Sequence, residues 1–237
     1  MKKVIAYSLW GNDPVYVINA LVNADIALSL YSGWICRFYC SPNVPAGIIE
    51  ELKKRSNVEI IFMDQDESWN GMFWRFRAAS DPDVEIMISR DADSHLDIRE
   101  KEAVDEWLAS DKNFHIMRDN RAHSALILGG MWGARRGILR DIASIIDAYS
   151  RKETNNRKNI DQEFLWSHIF PLVKNTAFIH DSVENRCGGR TKDFPTPRKK
   201  PWREDTLNDA HDNNYIGIIQ NVPQDYWDKY YKLTERE

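Results

Sequence analysis

Strand-like and helix-like segments alternate over residues 1–90, and this alternation limits the chain to a narrow set of folds. Residues 3–8 form a short apolar run of strand character, and Asp13 followed by Pro14 supplies an N-cap and a first-turn proline for a helix over 14–30. Further strands are predicted at 35–39, 58–63 and 84–88, with helices at 46–55 and 72–79 between them. A helix between successive strands lets them run parallel through right-handed crossovers. The predicted class is therefore α/β, with a mainly parallel central sheet and flanking helices. A length of 237 residues suits one large domain, or one domain with an extended tail.

The second half continues with helices at 98–109, 138–149 and 160–169, the last ended by Pro171, and with strands at 114–117, 125–132 and 176–179. Beyond Asp181 the character changes. Gly188-Gly189, Pro195, Pro197 and Pro201 stand among few aliphatic residues, so an irregular C-terminal tail is expected, with 215–219 tied back to the core. The chain thus divides into a domain over 1–181 and an extension over 182–237 that packs back onto it.

The segment "VEIMISRDADSHLDI" poses the functional question, because an apolar strand at 84–88 runs directly into Arg90, Asp91, Asp93 and His95. In open α/β sheets, ligands bind at the carboxyl ends of strands. If 91–93 stays extended, both carboxylates lie on one side with Ala92 on the other. Two such charges raise each other's pKa unless a cation lies between them.

Composition removes several classes. A formal net charge of -4 leaves no electrostatic footprint for nucleic acid. The longest uncharged apolar stretch, 125–134, is half the ~20 residues of a transmembrane helix, and the N-terminus has no signal-peptide pattern. Cys36, Cys40 and Cys187 lack metal-ligand spacing, and on one strand Cys36 and Cys40 would stand roughly 13 Å apart, beyond disulfide reach. A reducing cytoplasm fits this usage.

The segments "MFWRF", "SRDADS", "GGMWGAR" and "DQEFLW", in that order and followed by a strand ending in His180, resemble small bacterial and viral GT-A-type glycosyltransferase domains over residues 3–181. The resemblance implies a GT-A-like single domain that moves a sugar from a UDP- or GDP-sugar to a glycan or glycoconjugate acceptor, with Mn²⁺ or Mg²⁺ as cofactor. It implies that Asp91 and Asp93 hold the metal, with His180 as a third ligand. Ser8, Trp10, Arg75, Arg90 and Asp91 would face the nucleotide donor. Gly129, Gly130, Met131 and Trp132 would wall the donor sugar or acceptor, Trp132 by stacking on a sugar face. Asp161 or Glu163, with Asp119 as a rival, would act as base, or would orient substrate in a retaining enzyme.

Two other readings start from the same residues. A haloacid-dehalogenase-like phosphatase also has Asp-x-Asp after an apolar strand, but its motif belongs to the first core strand and here follows the fourth. A non-catalytic nucleotide-sugar or carbohydrate-binding module would use the same acids without turnover. Arg186, Arg190, Lys192, Arg198, Lys199, Lys200 and Arg203, against the single acid Asp193, form either a solvated basic loop or a basic lid hinged at Gly188-Gly189, and the lid is expected to order over 186–203 with metal and nucleotide.

Overall fold

The first strand, β1 (Lys2–Leu9), is buried along its last six residues, and no alternation survives because both faces of the sheet are covered. A computed structural model describes residues 1–64, 69–152, 157–182, 190–198 and 215–235. Helix α1 (Pro14–Leu30) starts as expected, with the Asp13 Oδ1 accepting from the Val15 N–H at 2.9 Å. There follow β2 (Ile35–Cys40), α2 (Ala46–Lys53), β3 (Val58–Phe62), a 3₁₀ helix (Trp69–Ser80) and β4 (Val84–Ser89). The second half contributes α3 (Ile98–Ala109), β5 (Phe114–Arg118), β6 (Trp132–Arg135), α4 (Ile142–Lys152), α5 (Ile160–Phe164), a π turn (Leu165–Ile169), α6 (Phe170–Val173) and β7 (Ala177–Asp181). A two-residue β8 (Thr191–Lys192), α7 (Gln224–Tyr230) and a last 3₁₀ turn (Tyr231–Thr234) follow.

The strands form one sheet of order β3-β2-β1-β4-β6-β5-β7-β8. Every pairing is parallel except those of β6, which runs antiparallel to β4 and to β5. The chain builds outward from β1 to β2 and β3, then crosses to the other side of β1 for β4. The β1/β4 boundary is therefore the topological switch point, where the carboxyl ends of the strands open a crevice.

Two hydrophobic layers flank the sheet, and β1 shows the division. Ile5, Tyr7 and Leu9 pack with α1, α2 and Trp107 of α3, whereas Val4 and Ala6 pack with Phe73 and Phe76 of the 3₁₀ helix, Ile142 and Ile146 of α4 and Phe164 of α5. Tyr230 of α7 joins the first layer. The Tyr226 hydroxyl donates to Asp25 Oδ2 at 2.7 Å, which ties α7 to α1. Phe194 and Ile216 bury against Met117 and Met131, so the segment at 215–219 is anchored in the core.

Four sequence expectations need correction. The strand expected at 125–132 is only its end, since β6 begins at Trp132; the Gly129 carbonyl is taken by the Ser89 hydroxyl at 2.7 Å and the glycine pair turns the chain. The helix expected at 138–149 starts at Ile142. The one at 72–79 is a longer 3₁₀ helix. Pro171 does not end the helix at 160–169, because the π turn resets the backbone and places the proline in the first turn of α6, where no N–H is needed.

Trp132 lies in the core rather than on a sugar-facing wall. It is fully buried, stacked on Phe114 with centroids 5.3 Å apart and edge-on to Phe76 at 5.3 Å. Trp132→Ala should therefore cost about 3–5 kcal/mol of stability in a urea melt. An unchanged midpoint would contradict this placement. No helix among the described residues is long and apolar enough to cross a membrane.

Candidate active site

The segments singled out in the sequence converge at the switch point, and Arg75 joins them. The 3₁₀ helix carries Arg75 between the buried aromatics Trp74 and Phe76, and its backbone N–H donates to the Ser8 hydroxyl at the end of β1 at 3.1 Å. Its Nη1 donates to Asp91 Oδ1 at 2.6 Å and its Nη2 to Asp161 Oδ2 at 3.2 Å. The glycine pair closes the other side. A Cβ at Gly130 would lie under 3.0 Å from Asp91 Oδ2, Cγ and backbone N, and one at Gly129 under 3.0 Å from Asp161 Oδ2 and Arg75 Nη2. Glycine is required here for close approach, not for a left-handed backbone.

After β4 the chain turns at once, with the Ser94 N–H reaching back to the Asp91 carbonyl at 3.4 Å. Asp91-Ala92-Asp93 is thus a turn and not an extended strand end. The two acids differ in consequence. The Asp91 side chain is 42% exposed, whereas Asp93 is buried. Burial first, and then the Asp91 charge, push the Asp93 carboxyl up to about 6. Burial also raises the Asp161 carboxyl, against the lowering effect of Arg75. Arg75 Nε is buried without a hydrogen-bond partner, leaving a donor at the centre of the cluster unspent.

No protein-family model matches the sequence, and no curated protein matches it either. Solved structures do match by fold. One is a glycosyltransferase involved in the glycosylation of the major capsid of PBCV-1, which is 15% identical, aligns over 76% of this chain and 82% of its own, and has a TM-score of 0.52. Another is S. aureus TarS 1-349, at 12% identity over 77% of this chain and 59% of its own, with a TM-score of 0.51. The fold is GT-A-like.

Within the GT-A-like domain, several predicted site residues lie elsewhere. Arg90 points to the opposite face of the sheet from Arg75 and pairs with Glu100, Nε to Oε1 at 2.6 Å, where the Tyr31 hydroxyl also donates at 3.0 Å. It supports the layer containing α1 and α3 and makes no bond to Arg75, Asp91 or Asp161. Asp119 is fully buried and saturated. It accepts from Arg99 Nε and Nη2 at 3.2 and 2.8 Å, from the Ser182 hydroxyl at 2.6 Å and from the Ile216 N–H at 3.0 Å, and it pairs with Arg198 at 3.1 Å. No lone pair is free for a base, so Asp119 is a latch on the C-terminal segment.

His180 is not brought to Asp91 and Asp93. It sits on β7, three positions from β4 in the sheet, fully buried between His115 Nε2 at 2.8 Å and Glu106 Oε2 at 2.9 Å. Among the described residues no group of three or more His, Cys, Asp or Glu side chains is placed to hold a metal ion. Trp10 packs edge-on against Trp74 at 6.2 Å. Met131 is core, and Glu163 forms an exposed pair with Arg157 at 2.8 Å. Of the cations expected in a lid, Lys192 pairs with Glu106, Arg198 with Asp119, and Arg190 reaches the Lys174 carbonyl at 3.4 Å. Arg186, Gly188, Gly189, Lys199, Lys200 and Arg203 lie outside the described residues.

The His115–His180–Glu106 chain admits one tautomer assignment. His180 Nε2–H donates to the carboxylate, so its Nδ1 accepts from His115 Nε2–H, and His115 Nδ1 is left bare, buried without a partner. Burial lowers both pKa values, aided at His115 by the His180 and Arg90 charges and opposed at His180 by Glu106. With folded pKa values below the unfolded value of about 6.5, the stability they contribute is full above that pH and lost as pH falls towards the folded values. Asp93 acts in the opposite direction below about pH 6, so the histidine effect is read as a difference: between pH 8 and 5 the Tm of His115→Asn should fall less, relative to its own pH 8 value, than that of wild type. A slope identical to wild type would contradict the assignment.

Sequence reading missed Asn19 and Asn23 of α1 and Gln220, all bonded to the Asp93 turn or its neighbours. A signal was present. Two asparagines four apart share one face of a mostly apolar helix, and a buried amide requires partners.

Proposed function

We propose that the protein is a glycosyltransferase that moves a sugar from a nucleotide-diphosphate donor to a glycan or glycoconjugate acceptor, with Mn²⁺ or Mg²⁺ held by Asp91 and Asp93. The observation that carries this reading is the convergence of Arg75, Asp91, Asp93 and Asp161 at the switch point of a GT-A-like sheet. Hard divalent cations prefer carboxylate and phosphate oxygens, and Mg²⁺ in particular is bound through one or two carboxylates with substrate phosphates and water. The pair of acids, one exposed and one with a raised pKa, fits that donor set. When bound, such a cation neutralises charge on the departing diphosphate.

The chain's own groups then have defined work. Arg75 holds Asp91 and Asp161 in place, its Nε buried within the cluster. Asp161 is buried, with Oδ1 bonded by the Gln162 N–H at 2.9 Å and Oδ2 by Arg75, so it orients Arg75 and keeps a further lone pair on each oxygen. Ser8 fixes the Arg75 backbone, and Trp10 stands at the end of β1 where the nucleotide enters. A cavity of about 350 Å³ lies beyond the Asp93 turn, bordered by His95, Asp97, Arg99, Thr196, Tyr215 and Gln220. The rest of its wall is aliphatic, Ile26, Leu96, Ile98, Pro197, Ile216 and Ile218, and an apolar site with a few polar groups is the usual form of a small-molecule pocket.

The test is to incubate the protein with UDP-, GDP- and dTDP-sugars and Mn²⁺ and to assay free nucleoside diphosphate. Release that depends on Mn²⁺ and on Asp91 supports transfer. Nucleotide-sugar binding without release from any donor, across a panel of glycan acceptors, would favour a non-catalytic module.

A further inference from the structure

Asn23 has no exposed surface, and three of its hydrogen-bonding positions are spent on one turn. Its Nδ2 donates to the Ala92 and Ser94 carbonyls, each at 3.0 Å, and its Oδ1 accepts from the Leu96 N–H at 2.9 Å. One helical turn earlier, the equally buried Asn19 bonds His95 Nε2 at 2.9 Å and donates to the Gln220 carbonyl at 2.9 Å, while the Gln220 N–H donates to the Asp93 carbonyl at 2.8 Å. The backbone groups of 92, 93, 94 and 96 are therefore held from outside. Within the turn the Ser94 to Asp91 bond is long at 3.4 Å, so local bonding alone holds it weakly.

The shape needs such support. Asp91 and Asp93 repel each other, and a free turn would relieve that repulsion by swinging Asp93 into water. Asparagine is the side chain that fits: aspartate could not donate to the two carbonyls, and alanine would leave two carbonyls and an N–H buried without partners.

We propose that Asn23, assisted by Asn19, is a positioning residue that holds the 91–94 turn in its carboxylate-presenting shape before any ligand arrives. The inference rests on the reading of Asp91 and Asp93 as cation ligands. A turn built in advance spares the ligand the ordering of its own site.

Mn²⁺ affinity and the Mn²⁺ electron paramagnetic resonance spectrum can be measured on the full chain for wild type, Asp93→Ala, Asn23→Ala and Asn57→Ala. Asn57 is the control, being a buried amide that donates to the Ala24 carbonyl at 2.8 Å away from the turn. The expected result is about tenfold or more weaker Mn²⁺ binding and a broadened spectrum in Asn23→Ala, against unchanged binding in Asn57→Ala at a comparable loss of Tm. Wild-type affinity in Asn23→Ala, or equal weakening in Asn57→Ala, overturns the positioning role while the Asp93→Ala result still supports the cation reading. Binding that survives in Asp93→Ala sinks the cation reading, and this inference with it. Should Asn23→Ala not fold, hydrogen exchange of the wild-type Leu96 amide decides the matter. Slow exchange that Mn²⁺ leaves unchanged supports a preformed turn, and protection that appears only with Mn²⁺ overturns it.

Discussion

Asp93→Ala is expected to weaken Mn²⁺-supported binding of UDP or GDP by on the order of a hundredfold or more, while the ligand-free variant melts higher than wild type at pH 7.5. The two effects have one cause. The Asp93 carboxyl is buried beside Asp91 and raised to about 6, above its unfolded value of about 3.8. A carboxyl raised in this way contributes stability that is full below about 3.8 and lost as pH rises through about 6. Above pH 6 the wild type therefore holds an ionised Asp93 at a cost, which a bound cation would relieve and alanine removes. At pH 4 the gain in Tm should vanish. The fold survives because the structural bond of this residue is the one its carbonyl accepts from Gln220, which alanine keeps. A full Mn²⁺-dependent thermal shift with UDP or GDP in the variant would defeat the proposed role of Asp93.

Gly130→Ala should be nearly as damaging to binding, although it removes nothing. The added methyl would press on Asp91 Oδ2, Cγ and backbone N at under 3.0 Å, and the last of these is main chain that cannot rotate away. Asp91 must shift, and its 2.6 Å bond to Arg75 goes with it. Affinity for Mn²⁺ with nucleotide is expected to drop by roughly ten- to a hundredfold, as when groups supporting a metal ligand are lost, with a destabilisation of about 1–3 kcal/mol from overpacking. Calorimetric titration beside a urea melt separates the two. Unchanged affinity would mean that the close approach of Gly130 to Asp91 has no bearing on the site.

Much of the site was legible because its signals are local. The apolar run of β4 breaking into acids, the glycine pair in an otherwise apolar segment, and an arginine inside an aromatic run each violate the pattern of their own element. All three meet in the folded chain around Arg75. Asn19 and Asn23 break the pattern of α1 in the same way, and only their partners were invisible. Asp119 and His180 misled because a polar residue at a strand end looks the same whether it faces a ligand or a buried partner, Arg99 for Asp119 and the His115 and Glu106 side chains for His180.

The sequence by itself determined the α/β alternation, the Asp13-Pro14 start of α1, the short strands and the place of the acidic turn, since propensity, capping and period act within a few residues. Tertiary structure alone decided which face each charge takes and what it meets. Arg90 and Asp91 are neighbours in the chain, yet one is paired with Glu100 of α3 and the other with Arg75 of the 3₁₀ helix. Asn19 finds Gln220 across 201 positions. A buried polar group takes its role from the partner that satisfies it, and that partner is brought near by sheet order and crossover packing, which no local pattern encodes.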